Sequence, residues 1–229
     1  MSVSHRTRAL ALAAAAAVVL SACAVSITTD AIHDDRIDHA VRPNGPAAII
    51  GDSVGLGLVV YGGIWTRLGQ DGWGPVRSFS VVGMHAAAES GTDDNTVARW
   101  ITTFRAQGLS PKVLVVVAGS NDVGYPSGGV VATDVARIEK AMKAIGATPT
   151  VWTTISHSNL GWMNAWNTAL KDVATRHPNL TVCDWAAQLA AHPTYLAKDK
   201  VHMTLGPLGG YVAMRGFVEA CVKNATGTK

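Results

Sequence analysis

Residues 51–55, Gly-Asp-Ser-Val-Gly, place a serine between a short apolar run and a glycine-rich segment. The run before it, Ala-Ala-Ile-Ile at 47–50, predicts a short buried strand, and residues 56–60 can begin a helix. A serine at such a strand-to-helix turn exposes its hydroxyl beside a helix N-terminus, which favours developing negative charge. Ser53 is therefore either a nucleophile or a residue that only caps the helix.

A nucleophilic Ser53 needs a base, because a neutral hydroxyl is a poor nucleophile near pH 7. His202 is the candidate base, and Asp199, three residues earlier, can orient the imidazole and stabilise its cationic form. His85 and His157 also follow predicted strands and are the alternative bases.

An ester carbonyl attacked by Ser53 develops an oxyanion, which needs preorganised hydrogen-bond donors. The backbone N–H groups of Ser53 and Gly83 and the side-chain amide of Asn121 could supply three donors. Asp52 and Asp122 flank these residues, and we predict that they hold the turns by accepting backbone N–H bonds.

Strand-like and helix-like segments alternate from residue 47 onward, and residues 113–117 are apolar without alternation, as in a strand covered on both faces. The predicted strands are 47–51, 76–82, 112–118, 149–155 and 180–184. The predicted helices are about 54–69, 93–107, 129–145, 161–176 and 207–223. This order predicts a parallel sheet between layers of helices, with the ligand site beyond the carboxyl ends of the strands.

The candidate residues all follow predicted strands. Ser53 comes after the first strand, Gly83 after the second and Asn121 after the third. Residues 156–158, Ser-His-Ser, follow the fourth strand, and residues 199–202 lie in the connection after the fifth. The sequence therefore predicts one site at this edge of the sheet.

These motifs, in this order, resemble the SGNH hydrolase family, a branch of the GDSL-type esterases and lipases. The matching blocks are Gly-Asp-Ser-Val at 51–54, Gly83, Gly-Ser-Asn-Asp at 119–122 and Asp-Lys-Val-His at 199–202. Gly91 offers another alignment of the glycine block. The resemblance implies a three-layer α/β/α flavodoxin-like fold with a mainly parallel five-stranded sheet. It also implies a triad of Ser53, His202 and Asp199, the oxyanion hole described above, and ester hydrolysis without a metal or other cofactor.

The alternatives to this reading concern the hydrolase family, the substrate and whether the protein is an enzyme at all. Residues 51–55 also satisfy Gly-x-Ser-x-Gly, the nucleophile elbow of α/β-hydrolases, but that elbow normally follows several strands and here only one precedes it. Residues 184–185 followed by 199–202 are similar to the SGNH domains of some bacterial cell-envelope O-acyltransferases. The substrate could accordingly be an O-acylated envelope carbohydrate, a lipid or a short-chain ester, with water or an alcohol as acceptor. The alternative from another class is a non-catalytic envelope-binding lipoprotein.

The N-terminus is typical of an export signal. His5, Arg6 and Arg8 form a basic region, and residues 9–20 form an apolar one that is short for a membrane span. Residues 20–23, Leu-Ser-Ala-Cys, resemble the lipobox of bacterial lipoproteins, in which the cysteine is lipidated.

We therefore expect cleavage of residues 1–22, lipidation of Cys23 and a flexible tether over residues 23–46. The lipid would anchor the protein to the extracytoplasmic face of the bacterial membrane. An ordinary secretory signal and a secreted protein are the alternative.

Length and composition predict one domain, which we place at residues 47–224 with a disordered tail at 225–229. The chain has 229 residues, of which 48% are hydrophobic and 15% charged. Without Arg6 and Arg8, 17 of the 19 basic residues remain against 16 acidic ones. A formal charge of +1 gives no concentrated basic face, so we expect no nucleic-acid partner.

The remaining candidate groups have weaker patterns. Cys183 and Cys221 either form a disulfide or are two buried small side chains. None of the eight histidines pairs with another at metal-ligand spacing, so we expect no metal site. Trp162 and Trp166, four residues apart, either rim the cleft or, as we prefer, lie in the core, and Trp185 is expected to cap the core.

Overall fold

The computed structural model describes residues 33–34, 36–88, 95–124 and 129–228. The predicted signal peptide, Cys23 and the alternative block glycine Gly91 lie outside these ranges. No helix within them has the length and apolar character needed to cross a bilayer.

The described residues form one mixed sheet of seven strands. The strands are β1 (His33–Asp34), β2 (Ile37–Asp38), β3 (Ala47–Gly51), β4 (Val76–Val81), β5 (Val113–Val117), β6 (Thr150–Thr153) and β7 (Leu180–Cys183). Strands β3 to β7 are parallel and lie in the order β4-β3-β5-β6-β7, which is the flavodoxin-like order. The predicted five-stranded parallel sheet is confirmed, and β1 and β2 are short antiparallel additions on β4.

The apolar runs that predicted the central strands are buried on both faces. Every residue of β3 and of β5 is buried. Successive side chains of β3 alternate between two hydrophobic clusters, since Ala48 and Ile50 belong to one cluster and Ala47 and Ile49 to the other. The sheet is therefore the middle of three layers.

Seven helices cover the two faces of this sheet in the described part of the chain. They are α1 (Ser53–Gly57), α2 (Ile64–Gln70), α3 (Val97–Ala106), α4 (Val131–Ile145), α5 (Leu160–Ala174), α6 (Trp185–Ala191) and α7 (Gly210–Thr226). Helices α3, α4 and α5 pack in one cluster, and the apolar side chains of α1, α2, α6 and α7 pack in the other. The three-layer α/β/α architecture is as predicted.

The helix predicted at 54–69 is wrong as a single element. Helix α1 runs into a π-helical turn at Leu58–Gly62, and Gly63 then adopts the left-handed conformation (φ 69°) before α2 begins. The prediction failed because the apolar residues continue through the interruption. Helix α6 was missed because seven residues show too little periodicity.

The expected tether and tail also need correction. Residues predicted to be a flexible tether include β2, whose Ile37 and Asp38 pair with Arg77 and Val76 of β4. Strands of two residues carry no readable alternation, so the sequence could not indicate them. At the other end α7 continues to Thr226, two residues beyond the predicted boundary, and Gly227 (φ 68°) ends it.

A disulfide joins Cys183, the last residue of β7, to Cys221 in α7, with the two Cα atoms 5.9 Å apart. Of the two alternatives left open by the sequence, the structure therefore contains the bridge. It connects the edge of the parallel sheet to the last helix.

Replacing both cysteines with alanine should lower the free energy of unfolding by about 4 kcal/mol, because the bond closes a loop with a sequence separation of 38. Chemical denaturation of the double variant under oxidising conditions measures this loss. Wild type unfolded in the presence of a thiol reductant is the control and should lose a similar amount. A loss below about 1 kcal/mol in both would contradict the expected loop-closure effect.

Candidate active site

Ser53 is the first residue of α1, directly after β3, and Asp52 holds this turn. The Oδ1 atom of Asp52 accepts hydrogen bonds from the backbone N–H of Val54 (2.8 Å) and of Gly55 (3.5 Å). Its Oδ2 accepts one from the N–H of Ser120 (3.2 Å), which follows β5. The predicted structural role of Asp52 is thus confirmed. Burial raises the pKa of this carboxyl, and the hydrogen bonds from Val54 and Ser120 offset only part of the rise.

The glycines of the turn allow a close approach of backbone segments. A Cβ atom on Gly51 would lie 2.7 Å from the Cα of Gly55 and 2.9 Å from the carbonyl oxygen of Val117. Both are backbone groups, the first in helix α1 and the second in the central strand β5, so neither can move without shifting its element. The glycine at position 51 is therefore required by packing around the serine turn.

The structure brings Ser53, His202 and Asp199 together in one hydrogen-bonded chain. The Ser53 Oγ lies 2.9 Å from the His202 Nε2, and the His202 Nδ1 lies 2.7 Å from the Asp199 Oδ2. Ser53 is 149 residues from His202 in sequence, and the two meet because the connection after β7 returns to the carboxyl end of β3.

Asp199 is fixed by the backbone of its own loop. Its Oδ1 accepts hydrogen bonds from the N–H groups of Val201 (3.0 Å) and His202 (2.9 Å). Partial burial raises the pKa of Asp199, but the hydrogen bonds from Val201 and His202 outweigh it and lower the pKa to about 2. Asp199 is therefore ionised at neutral pH and faces His202 as a carboxylate.

The loop at 199–202 is held from the side by the segment that follows β6. The Ser156 Oγ donates a hydrogen bond to the carbonyl oxygen of Lys200 at 2.9 Å. Lys200 adopts the left-handed conformation with φ 63°, which a residue with a side chain rarely does. The sequence placed Ser156 at a strand end but gave it no role.

The segments that follow β4 and β5 are bound to each other. Gly83 adopts φ 83° directly after β4, and the side-chain amide of Asn121 donates to the carbonyl oxygen of Met84 at 3.0 Å. Both carboxylate oxygens of Asp122 accept from the N–H of Ala86, at 3.2 and 3.0 Å. The predicted role of Asp122 is confirmed. Because β4 and β5 flank β3, Gly83 and Asn121 follow the two neighbours of the strand that leads to Ser53.

Trp166 packs against the first glycine of the 119–122 block. Gly119 has φ 134°, and a Cβ atom there would lie 2.3 Å from the Trp166 Nε1. Trp166 and Trp185 are buried core residues, whereas Trp162 is 36% exposed. The expectation of a core position is confirmed for Trp166 and wrong for Trp162. Trp162 lies near the exposed start of α5, four residues before the buried Trp166.

The two alternative bases lie in other surroundings. The His85 Nδ1 is 4.0 Å from the Asp122 Oδ2. The His157 Nδ1 accepts a hydrogen bond from the Asn159 N–H at 3.0 Å, and burial lowers the pKa of His157. Within the described ranges, no group of three or more His, Cys, Asp or Glu side chains is arranged to hold a metal ion.

Asp134 and Arg137 of α4 form a buried pair beneath the 119–122 block, which the sequence did not indicate. The Arg137 Nη1 donates to the carbonyl oxygen of Asp122 (3.1 Å) and to the Asp134 Oδ1 (3.3 Å). Burial raises the pKa of Asp122 to about 8, against the opposing effects of the Ala86 hydrogen bond and the Arg137 charge. An acid and a base three residues apart on a helix usually face solvent, so no sequence signal distinguishes this pair.

Comparison with known proteins finds structures of similar fold but no related sequence. A scan against protein-family models and a search of curated proteins both found no match.

Several solved structures share the architecture. The C-terminal catalytic domain of peptidoglycan O-acetyltransferase A from Streptococcus pneumoniae, with a methylsulfonyl adduct, matches with a TM-score of 0.62 and 16% identity, over 81% of this chain and 96% of that one. The lipase/acylhydrolase from Enterococcus faecalis matches with a TM-score of 0.56 and 16% identity, over 80% and 95%. A carbohydrate esterase of family 3 from Talaromyces cellulolyticus matches with a TM-score of 0.56 and 15% identity, over 80% and 98%. At these identities the likeness shows the fold, which is that of the SGNH hydrolases.

Proposed function

We propose that this protein is a serine esterase that cleaves acyl esters through Ser53, His202 and Asp199. The observation that carries the proposal is the continuous chain from the Ser53 Oγ through the two imidazole nitrogens to the Asp199 carboxylate, with steps of 2.9 and 2.7 Å. At fold level, the similarity to esterases, lipases and an O-acetyltransferase domain supports acyl-ester hydrolysis or transfer.

The geometry suits a two-step reaction with an acyl-enzyme. The Ser53 Oγ attacks the ester carbonyl carbon while the His202 Nε2 takes the hydroxyl proton, and His202 then gives that proton to the departing alcohol oxygen. Asp199, ionised because its pKa is about 2, stabilises the imidazolium that forms between these events. Water repeats the sequence on the acyl-serine and releases the acid. The proton transfers need no metal, because His202 supplies both base and acid.

Asn121 is proposed to stabilise the oxyanion, together with the N–H groups of Ser53 and Gly83. One N–H of its amide is bound to the Met84 carbonyl, which fixes the orientation of the other. Asn121→Ala should lower kcat by roughly 10² to 10³, because one preorganised donor is lost. The control is Asn179→Ala. The side-chain amide of Asn179 donates to the carbonyl oxygens of Gly146 and Thr148, away from Ser53. Steady-state hydrolysis measures both, and a loss below about fivefold for Asn121→Ala would remove Asn121 from the oxyanion hole.

The substrate class is proposed from the N-terminus, from a short motif similarity and from the fold neighbours. The export-type N-terminus and the similarity of residues 184–185 and 199–202 to envelope O-acyltransferase domains favour a small acyl group on an envelope carbohydrate. The similarity in fold to a peptidoglycan O-acetyltransferase domain and a carbohydrate esterase agrees with this choice. A lipid or short-chain ester, and transfer of the acyl group to an alcohol, use the same residues and are the alternatives.

The experiment that tests the proposed function is a covalent label on active protein. Wild type should hydrolyse p-nitrophenyl acetate, and a fluorophosphonate probe should add to one serine, identified as Ser53 by peptide mass spectrometry. Absence of both hydrolysis and labelling would overturn the esterase proposal and favour a binding protein. Product analysis with a sugar acceptor present then separates hydrolysis from acyl transfer.

Membrane anchoring through Cys23 is a separate proposal, supported by the Leu-Ser-Ala-Cys segment at 20–23. The mature protein purified from a bacterial host with the lipoprotein pathway should begin at Cys23 and carry diacylglycerol. Intact mass spectrometry measures this directly. An unmodified terminus left by cleavage of the signal would favour a secreted protein instead.

A further inference from the structure

An open groove of about 430 Å³ lies beside the proposed catalytic residues, where the segments after β6 and β7 meet. Its walls include Ser156, Met163, Leu189, Ala190, Leu196 and Lys200. Resting on the proposed function, we propose that this groove binds the alcohol half of the ester, and that this half is apolar.

The groove adjoins the histidine side of the site. Lys200, in its wall, lies between Asp199 and His202 in the same short loop. The Ser156 Oγ, which also lines the groove, donates to the Lys200 carbonyl at 2.9 Å, so this hydrogen bond ties the groove to the loop that carries His202. A group in the groove therefore lies beside the loop that carries the imidazole.

The proposed oxyanion donors lie at the same edge of the sheet but follow strands nearer the other end of the strand order. Gly83 and Asn121 follow β4 and β5, whereas the groove is built after β6 and β7, which lie further along the order β4-β3-β5-β6-β7. The carbonyl oxygen of the ester must point to the donors, and His202 must reach the oxygen that leaves. The part of the ester on the groove side is therefore the leaving alcohol.

The side chains of the groove fit an apolar alcohol better than a sugar. Leu189 is 6% exposed, and Met163 and Leu196 are partly buried, so the surface they offer is hydrocarbon. An alkyl chain laid on this surface removes apolar area from water. A sugar would find polar side chains in Ser156, His157, Ser158 and Lys200. Its hydroxyls that face the leucine and methionine side chains would lose hydrogen bonds to water without replacement. The groove thus favours the alternative substrate given above, a lipid or short-chain ester, over the envelope carbohydrate that the N-terminus and the fold neighbours favour.

Two ester series decide which half of the substrate enters the groove. The first keeps the acetyl group and lengthens the alcohol from ethyl to hexyl, with leaving groups of nearly equal basicity. The second keeps the ethyl alcohol and lengthens the acyl group from acetyl to hexanoyl. In an open groove each methylene should raise kcat/KM about twofold, half the gain in free energy of full burial, so hexyl acetate should exceed ethyl acetate by about 15-fold.

Ala190→Trp fills the groove from an exposed position on α6, and Ala191→Trp is the matched control on the next residue, also exposed and outside the groove lining. Ala190→Trp should reduce the ratio of kcat/KM for hexyl over ethyl acetate from about 15 to about 1, and Ala191→Trp should keep the wild-type ratio.

Each other outcome overturns the inference. A flat alcohol series in wild type, or an unchanged ratio in Ala190→Trp, would mean that the alcohol does not enter the groove. A change confined to the acyl series would assign the groove to the acid half. Faster cleavage of sugar acetates than of hexyl acetate, lost in Ala190→Trp, would make the alcohol a carbohydrate. Wild type that cleaves no ester and is not labelled at Ser53 would instead remove the proposed function, and this inference with it.

Discussion

Replacing Ser53 with alanine should lower kcat for ester hydrolysis by on the order of 10⁶, and replacing His202 with alanine should do the same. Ser53→Ala removes the attacking oxygen, and His202→Ala removes the group that lies 2.9 Å from that oxygen and must take its proton. Either loss abolishes the same step, so the Ser53→Ala, His202→Ala double variant should be no slower than the single variants. Initial rates with p-nitrophenyl acetate, above the rate in buffer, measure all three.

Two further histidine variants make this result specific. His177→Ala removes a histidine that contacts Glu139 at 2.7 Å on the other side of the fold, and it should keep wild-type kcat. His85→Ala tests the alternative base. If it lost as much activity as His202→Ala, the base would be wrongly assigned. Ser53→Ala with more than about a hundredth of wild-type kcat would show that hydrolysis does not depend on a serine nucleophile.

Asp199→Asn should lower kcat by on the order of 10³ to 10⁴ with little change in KM. The asparagine oxygen can still accept from the N–H groups of Val201 and His202, as the Asp199 Oδ1 does. Its NH₂ group would then face the His202 Nδ1 and donate to it. The imidazole proton would move to Nε2, toward Ser53, and the ring could no longer accept the serine proton.

The solvent exposure of the His202–Asp199 pair limits the size of this effect. The side chains of His202 and Asp199 are 39% and 51% exposed, so solvent screens part of their interaction. Asp184→Asn is the matched control and should keep wild-type kcat, since the Asp184 carboxylate also accepts a backbone N–H, that of Ala187, and pairs with a basic side chain, Lys171. A loss below about tenfold in Asp199→Asn would show that the carboxylate does not set the tautomer of His202.

The parallel sheet could be predicted because its central strands are apolar on both faces. The five predicted strands correspond to β3 through β7, and the residues after them meet at one edge. β1 and β2 could not be predicted, because two residues give no pattern, and their position depends on pairing with β4. The break between α1 and α2 was hidden by a continuous apolar sequence.

Within the site, residues that form local motifs could be predicted, and contacts between distant segments could not. Ser53, Asp199 and His202 are marked by residue type and by their place after strands. The bond from Ser156 to Lys200 spans 44 residues and needs the left-handed conformation of Lys200, which no local pattern indicates. The bridge between Cys183 and Cys221 remained ambiguous for the same reason, since only the docking of α7 beside β7 brings the cysteines together.

The disulfide has a consequence for the chemistry as well as for stability. It closes a covalent ring from Cys183 to Cys221, and Asp199 and His202 lie on that ring while Ser53 lies outside it. The proposed nucleophile thus follows a strand of the sheet, and its proposed base lies on a loop inside the ring that the disulfide closes. Reduction of the bond would leave this loop held beside Ser53 by non-covalent contacts alone, among them the hydrogen bond from Ser156 to Lys200.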